Sequence, residues 1–172
     1  TANTVHTTID LKLQKRLEMI ISKQIKSIKP LGIHNGSAVV IDNKNMEILA
    51  YVGSQDFNDK KFEGQVDGIT SIVSPGSTLK PFVYARALDK GYVTPLKKLY
   101  DIPLNISGYK PLNYNREFMG EVTASRSLQE SLNIPAIDLN NLLEDDSLFH
   151  LLKDIGIKSI EKDEAYYGSG IV

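Results

Sequence analysis

Residues 74–82 read Ser74-Pro75-Gly76-Ser77-Thr78-Leu79-Lys80-Pro81-Phe82, a serine and a lysine three positions apart between a Pro-Gly turn and a second proline. Pro81 decides how the segment folds. A proline is tolerated in a helix only near its first turn, because further in it removes a hydrogen bond and its ring strikes the carbonyl four residues back. A helix with Leu79, Val83 and Ala87 on one face therefore begins around Ser77 and stops at Gly91, with Pro95 beyond. Ser77 then lies at the helix N-terminus, where free amides and the macrodipole favour negative charge. Lys80 is one turn away, so the two side chains share a face with Cβ atoms roughly 5–6 Å apart. A buried helix start would disfavour the ammonium and so help the lysine act as a base toward the hydroxyl. The four-residue pattern alone decides nothing, since Ser107-Gly108-Tyr109-Lys110 and Ser159-Ile160-Glu161-Lys162 match it in unrelated settings. For an isolated pair, a capped helix with a solvated lysine is the plainer reading.

Outward from this stretch, the apolar residues Leu13, Leu17, Ile20, Ile21, Ile25 and Ile28 recur at helical spacing after the candidate caps Thr8 and Asp10. They predict an amphipathic helix from Asp10 to about Ile28. Residues 37–42 and 46–52 are β-rich runs flanking Asn43-Lys44-Asn45, a hairpin signal. Gly53 to Gly76 reads as a long loop leading into the motif. Pro95 to Gly120, rich in Pro, Gly, Asn and Tyr, reads as an ordered but mostly irregular connection. Helices are then expected from Thr123 to about Ser131, from Pro135 to Leu143 and from Ser147 to Asp154, before Gly156.

The composition excludes several kinds of function. With 20 Lys and Arg against 21 Asp and Glu, and no basic run, the footprint of a nucleic-acid binder is missing. The absence of cysteine removes disulfides, thiolate metal sites and a cysteine nucleophile. His6, His34 and His150 stand far apart without partner spacing, so no metal site and no cofactor are expected. No apolar run approaches the ~20 residues that span a bilayer. The chain starts without methionine and ends at Gly168-Ser169-Gly170-Ile171-Val172 with no polar tail, as expected of a piece cut from something larger.

A second chemical element is Ser131-Leu132-Asn133, placed where a helix is about to be interrupted by Pro135. It is the only Ser-x-Asn in the chain. By itself it reads as a helix C-cap. Beside a serine–lysine pair, a serine can relay a proton to a leaving amine, and an asparagine can both donate to and accept from a substrate amide.

The turn, tetrad and proline of residues 74–82, followed by SLNIPA at residues 131–136, resemble the first two motifs of the penicillin-binding transpeptidases. The stretch DIPLNISGYKPLNYNREFMGEVTASRSLQE before SLNIPA, and the earlier TTIDLKLQ, GSAVVID and ILAYVGSQDF, are similar to class A members, most closely the 1C type. The resemblance runs from about Thr7 to the C-terminus. It implies an α+β fold of the penicillin-binding transpeptidase (serine β-lactamase-like) type, a mostly antiparallel sheet flanked by helices, incomplete in this chain. Residues 1–172 are expected to form one partial transpeptidase domain, with no second domain and no internal boundary.

Carried over by the same resemblance, Ser77 is the acylated nucleophile, Lys80 its activating base, Ser131 a proton relay and Asn133 a contact to the substrate amide. The implied activity is peptidoglycan D,D-transpeptidation on D-Ala-D-Ala stem peptides, trapped by β-lactam antibiotics. The implied place is the extracytoplasmic face of the bacterial cytoplasmic membrane, the periplasm in a Gram-negative cell. A membrane anchor and a glycosyltransferase domain are expected upstream in the full-length protein. The family's third motif, Lys-Thr/Ser-Gly, is absent from this sequence, and with it the family's cationic pocket wall, carboxylate grip and one oxyanion-hole amide. Weak or no activity is therefore expected of these residues alone.

Plainer and rival readings stand beside these. Tyr84 is expected to be core, the Glu144-Asp145-Asp146 cluster to cap a solvated loop, and Tyr109, Tyr114 and Phe118 to pack the connection against the body. Rival functions are a D,D-carboxypeptidase or β-lactamase, in which water takes the acyl group, and a non-catalytic module that senses β-lactams or cell-wall fragments. A β-lactamase is expected to carry a placed carboxylate for deacylation, and residues 131–172 offer no motif for one.

Overall fold

The computed structural model describes residues 4–106 and 108–172. Ser107, from one of the look-alike tetrads, lies outside the described residues. The chain forms two compact units, Thr1–Val73 and Ser74–Val172. The sequence marks no boundary there because the division falls inside the stretch 53–76, read as loop.

In the first unit α1 (Leu11–Ile28) starts where expected. The Asp10 carboxylate accepts from the Lys12 and Leu13 amides at 2.8 and 2.9 Å, satisfying two of the donors a helix start leaves free. Thr8, the other candidate cap, donates instead to the Ile48 carbonyl at 2.6 Å. The hairpin pairs β1 (Ala38–Ile41) with β2 (Ile48–Val52) antiparallel, Ala38 opposite Val52 and Val40 opposite Ala50. The register shifts between Val40 and Ile41, so that Ile41 faces Ile48. The other edge of β2 is closed by α1. The Gln14 side-chain amide accepts from Tyr51 N at 2.7 Å and donates to Tyr51 O at 3.0 Å, and Asp10 N donates to Leu49 O at 2.9 Å. A glutamine thus takes the place of a neighbouring strand.

The second unit is built on α2 (Lys80–Asp89), preceded by a 3-10 turn over Gly76–Leu79. Pro81 sits in the first turn of α2, as its missing amide requires. Val83, Tyr84 and Ala87 of α2 pack with Leu139 and Leu143, from α4 (Asn133–Leu142) and its end, and with Phe149 and Leu152 of α5 (Leu148–Asp154). Tyr84 is core, with its hydroxyl 2.8 Å from Ser127 Oγ inside the unit. A short α6 (Glu164–Tyr167), with no sequence signal strong enough to predict it, brings Tyr167 against the same core. The acidic cluster is a 3-10 turn, and Asp146 pairs with Arg86 at 3.0 Å and with Lys90. It therefore ties the end of α2 to the turn before α5, which a solvated cap would not do.

The connection over 95–120 is more regular than its composition suggests. Lys98–Asp101 forms β3 and pairs antiparallel with β4 (Gly120–Thr123), Lys98 opposite Thr123 and Asp101 opposite Gly120. β4 runs directly into α3 (Ala124–Gln129), where Thr123 Oγ1 accepts from Arg126 N at 3.2 Å. The architecture is α+β, each unit combining helix with one small antiparallel sheet among the described residues. No helix among them is long and apolar enough to cross a membrane.

Candidate active site

Three chain segments of the second unit converge at the start of α2. Gly76 opens the turn with φ 52°, a left-handed conformation that an L side chain adopts only under strain, and Ser77 follows on the exposed side of the unit. Lys80, one turn on, is 1% exposed. Its ammonium donates to the Ser131 carbonyl at 2.6 Å, to Ser131 Oγ at 3.3 Å and to Asn133 Oδ1. All three ammonium donors are thereby used.

Ser131 is presented by the end of α3. The Leu132 amide donates to Ser127 O at 3.0 Å and the Ser131 amide to Leu128 O at 3.0 Å, the paired bonds of a Schellman cap. Glycine usually fills the left-handed position of that cap, but here it is Ser131, with φ 55°. A non-glycine residue held there stores backbone strain of the kind found at functional positions. The C-cap reading and the chemical reading of Ser131 therefore describe one geometry: the cap turns the serine's carbonyl and hydroxyl together toward Lys80.

Asn133 opens α4 and is held at both ends. Its amide nitrogen Nδ2 donates to the Leu112 carbonyl at 2.6 Å, and its backbone N–H donates to Asn113 Oδ1 at 2.8 Å. Because the Leu112 carbonyl can only accept, Nδ2 must face it and Oδ1 must face the lysine. Burial pushes the Lys80 ammonium down from its usual value to about 8. The lysine is thus close to losing its proton near neutrality, as a general base must.

The structure brings Lys80, Ser131 and Asn133 into direct contact. Ser77 lines an open cavity of about 440 Å³ together with Ser131, Asn133, Leu112, Tyr114 and Met119. The expected contact between Ser77 Oγ and Lys80 is not made among the described residues, because the three acceptors of residues 131–133 already occupy the ammonium. Tyr114 does not pack the connection against the body. It is fully exposed at the cavity wall, and Tyr109 is 49% exposed, whereas Phe118 is half-buried. Leu112 and Asn113, which hold Asn133, carry no sequence signal beyond their place in the PLNYN stretch.

The family model of the penicillin binding protein transpeptidase domain matches residues 36–170. The chain belongs to that family. Penicillin-binding protein 1C of Escherichia coli (strain K12) is 39% identical over 135 residues, which is 78% of this chain and 17% of that protein. Among solved structures, the penicillin-binding protein PonA1 of Mycobacterium tuberculosis superposes with a TM-score of 0.66 at 25% identity, covering 81% of this chain and 34% of that one. The same protein in complex with penicillin V matches with a TM-score of 0.61 at 25% identity, over 81% of this chain and 35% of that one. The chain spans about a fifth of the length of the curated relatives it matches.

Proposed function

We propose that this chain carries the nucleophile-bearing part of a peptidoglycan D,D-transpeptidase, acting at the extracytoplasmic face of the bacterial membrane. The observation that carries the reading is Lys80: a buried lysine whose ammonium is held by Ser131 and Asn133 one turn from an exposed serine. Ser77 Oγ attacks the carbonyl between the last two D-alanines of a stem peptide, and its proton passes to neutral Lys80. The C–N bond breaks, the proton reaches the leaving D-alanine amine by way of Ser131, and Ser77 is left acylated. An amine of a neighbouring strand then attacks the ester, the serine recovers its proton, and the cross-link is formed. The backbone amide of Ser77 itself, in the first turn, is the donor we assign to the negative charge that builds on the attacked carbonyl. A β-lactam enters the same first step through its strained amide, and because that amide is cyclic the leaving nitrogen stays attached and the acyl-enzyme persists.

Amine is favoured over water as the acyl acceptor. Glu130, the carboxylate on the cavity wall, is turned to Arg126 at 2.7 Å and so is not placed to activate a water. The test is covalent labelling of the full-length protein with a fluorescent penicillin, followed by turnover of a stem-peptide substrate. Labelling that disappears in Ser77→Ala, with D-alanine released and cross-linked product formed, supports the transpeptidase. D-alanine released without cross-links would make it a carboxypeptidase, and stoichiometric labelling without turnover would make it a sensor.

A further inference from the structure

Asp101, the last residue of β3, is fully buried, yet no lysine, arginine or histidine among the described residues lies within ion-pair distance of it. A carboxylate removed from water without a countercharge is costly unless hydrogen bonds replace its hydration. Here they do. Its oxygens accept from Asn113 Nδ2 at 3.0 and 2.8 Å, and one of them also accepts from the Met119 amide at 2.8 Å. Asn113 is itself 5% exposed, and Nδ2 also reaches the Glu117 carbonyl at 2.8 Å. With Nδ2 committed to acceptors on that side, Oδ1 is left to receive the backbone N–H of Asn133 at 2.8 Å. The donor–acceptor order is continuous from Met119 N through Asp101, Asn113 and Asn133, and Asn133 Oδ1 accepts from Lys80.

We propose that Asp101 and Asn113 are positioning residues of the acyl-transfer site: the buried carboxylate orients the Asn113 amide, and Asn113 with the Leu112 carbonyl fixes Asn133 against Lys80. This rests on the transpeptidase reading of the same site. A hydrophobic pair of similar size would fill the space with no uncompensated charge, but it would leave the amide at Asn133 unpaired and the asparagine free to turn. The order of the chain matters more than the charge, because a single amide-for-carboxylate exchange puts two donors face to face. In Asp101→Asn the amide oxygen can still accept from Met119 N and Asn113 Nδ2, as one carboxylate oxygen does now, but the amide nitrogen then stands 3.0 Å from Asn113 Nδ2, where its other acceptor was. If Asn113 flips to meet it, Asn113 Nδ2 opposes the Asn133 N–H. Asn113→Asp puts a carboxylate oxygen where Nδ2 now meets Asp101 and the Glu117 carbonyl, so that acceptors face acceptors.

The experiment is single-turnover acylation of the full-length protein at saturating fluorescent penicillin, as a function of pH, for the parent, Asp101→Asn and Asn113→Asp, at a temperature where circular dichroism shows each folded. Each variant is expected to acylate about 10- to 100-fold more slowly, the scale of an ångström-sized misplacement of reacting groups. The pH midpoint of the rate is expected to fall in both, because an Asn133 that turns away from Lys80 no longer stabilises the ammonium. Variants that acylate at the parent rate, or that are slowed with an unmoved midpoint, would overturn the proposal. If one variant does not fold, the other decides by the same two readings, and failure of both to fold would overturn the positioning role in favour of a structural one. Parent protein that is never labelled would instead sink the transpeptidase reading, a result separate from any of these.

Discussion

Lys80 Nζ donates to both oxygens of Ser131, the backbone carbonyl at 2.6 Å and the hydroxyl at 3.3 Å, and it does so because Ser131 is held in a left-handed conformation at φ 55°. Backbone strain at one residue thereby sets the surroundings of a buried charge on another. The two residues are 51 positions apart, and the cap that ends α3 brings them together.

Ser131→Gly separates the cap from the chemistry. Glycine adopts the left-handed position without the Cβ clash, a gain of about 1 kcal/mol, but it removes an acceptor of the buried Lys80 ammonium, a loss of about 1 kcal/mol or more, so the midpoint in urea is expected to move little. The same change deletes the proposed hydroxyl relay, and acylation by a penicillin is expected to fall by roughly 10²-fold or more. A variant that acylates normally would show that Ser131 is present for its backbone alone.

Lys80 makes the site pH-dependent in a stated direction. Its charged form is disfavoured by burial, and its pKa falls from 10.5 in the unfolded chain to about 8 in the folded one. Acylation needs the neutral amine, so the rate is expected to rise as pH passes through about 8. Between these two values the unfolded chain binds more protons than the folded one, so stability also rises with pH there. The penalty of the buried ammonium is fully present below pH 8 and is relieved above it. Rate and denaturation midpoint measured from about pH 6.5 to 9.5, a window around the folded value, should climb together, and a rate that falls across this interval would remove Lys80 as base.

Gln14→Ala should open the edge of β2. Two hydrogen bonds to Tyr51 disappear, at a cost of about 1–2 kcal/mol since water reaches part of the strand. An unpaired β-rich edge also templates association. The expected result is a lower unfolding midpoint together with a concentration-dependent shift to larger species in size-exclusion chromatography. An unchanged elution profile at high concentration would show that the edge is protected by something other than Gln14.

The 172 residues carry no Lys-Thr-Gly or Lys-Ser-Gly. If that motif supplies an oxyanion donor as the family resemblance implies, this chain is expected to be labelled at least ~10²-fold more slowly than a class A transpeptidase domain that has it, the usual effect of losing one such donor. Equal labelling rates, read by gel and intact mass, would place the missing donor within these residues.

Much of this molecule was legible because its signals are local. Asp10 and Thr123 cap the helices they precede, Pro81 can stand only in a first turn, and the runs around residues 43–45 pair with each other across a short connection. These rest on sterics and on hydrogen bonds between near neighbours, so residue type and spacing determine them. The serine–lysine spacing and the Ser-x-Asn belong to the same class: they offer a hydroxyl, an amine and an amide to the proposed chemistry. What they leave open is who touches whom. The pairing of β3 with β4 joins residues separated by a stretch rich in turn-formers, and no periodicity records it. The burial of Asp101 and Asn113 runs against the usual behaviour of their residue types and follows only from the strands and turns that close over them. Likewise, spacing places Ser77 and Lys80 on one helical face, but the tertiary structure gives the lysine to Ser131 and Asn133, because a buried ammonium must satisfy three donors at once and residues 131–133 supply three acceptors.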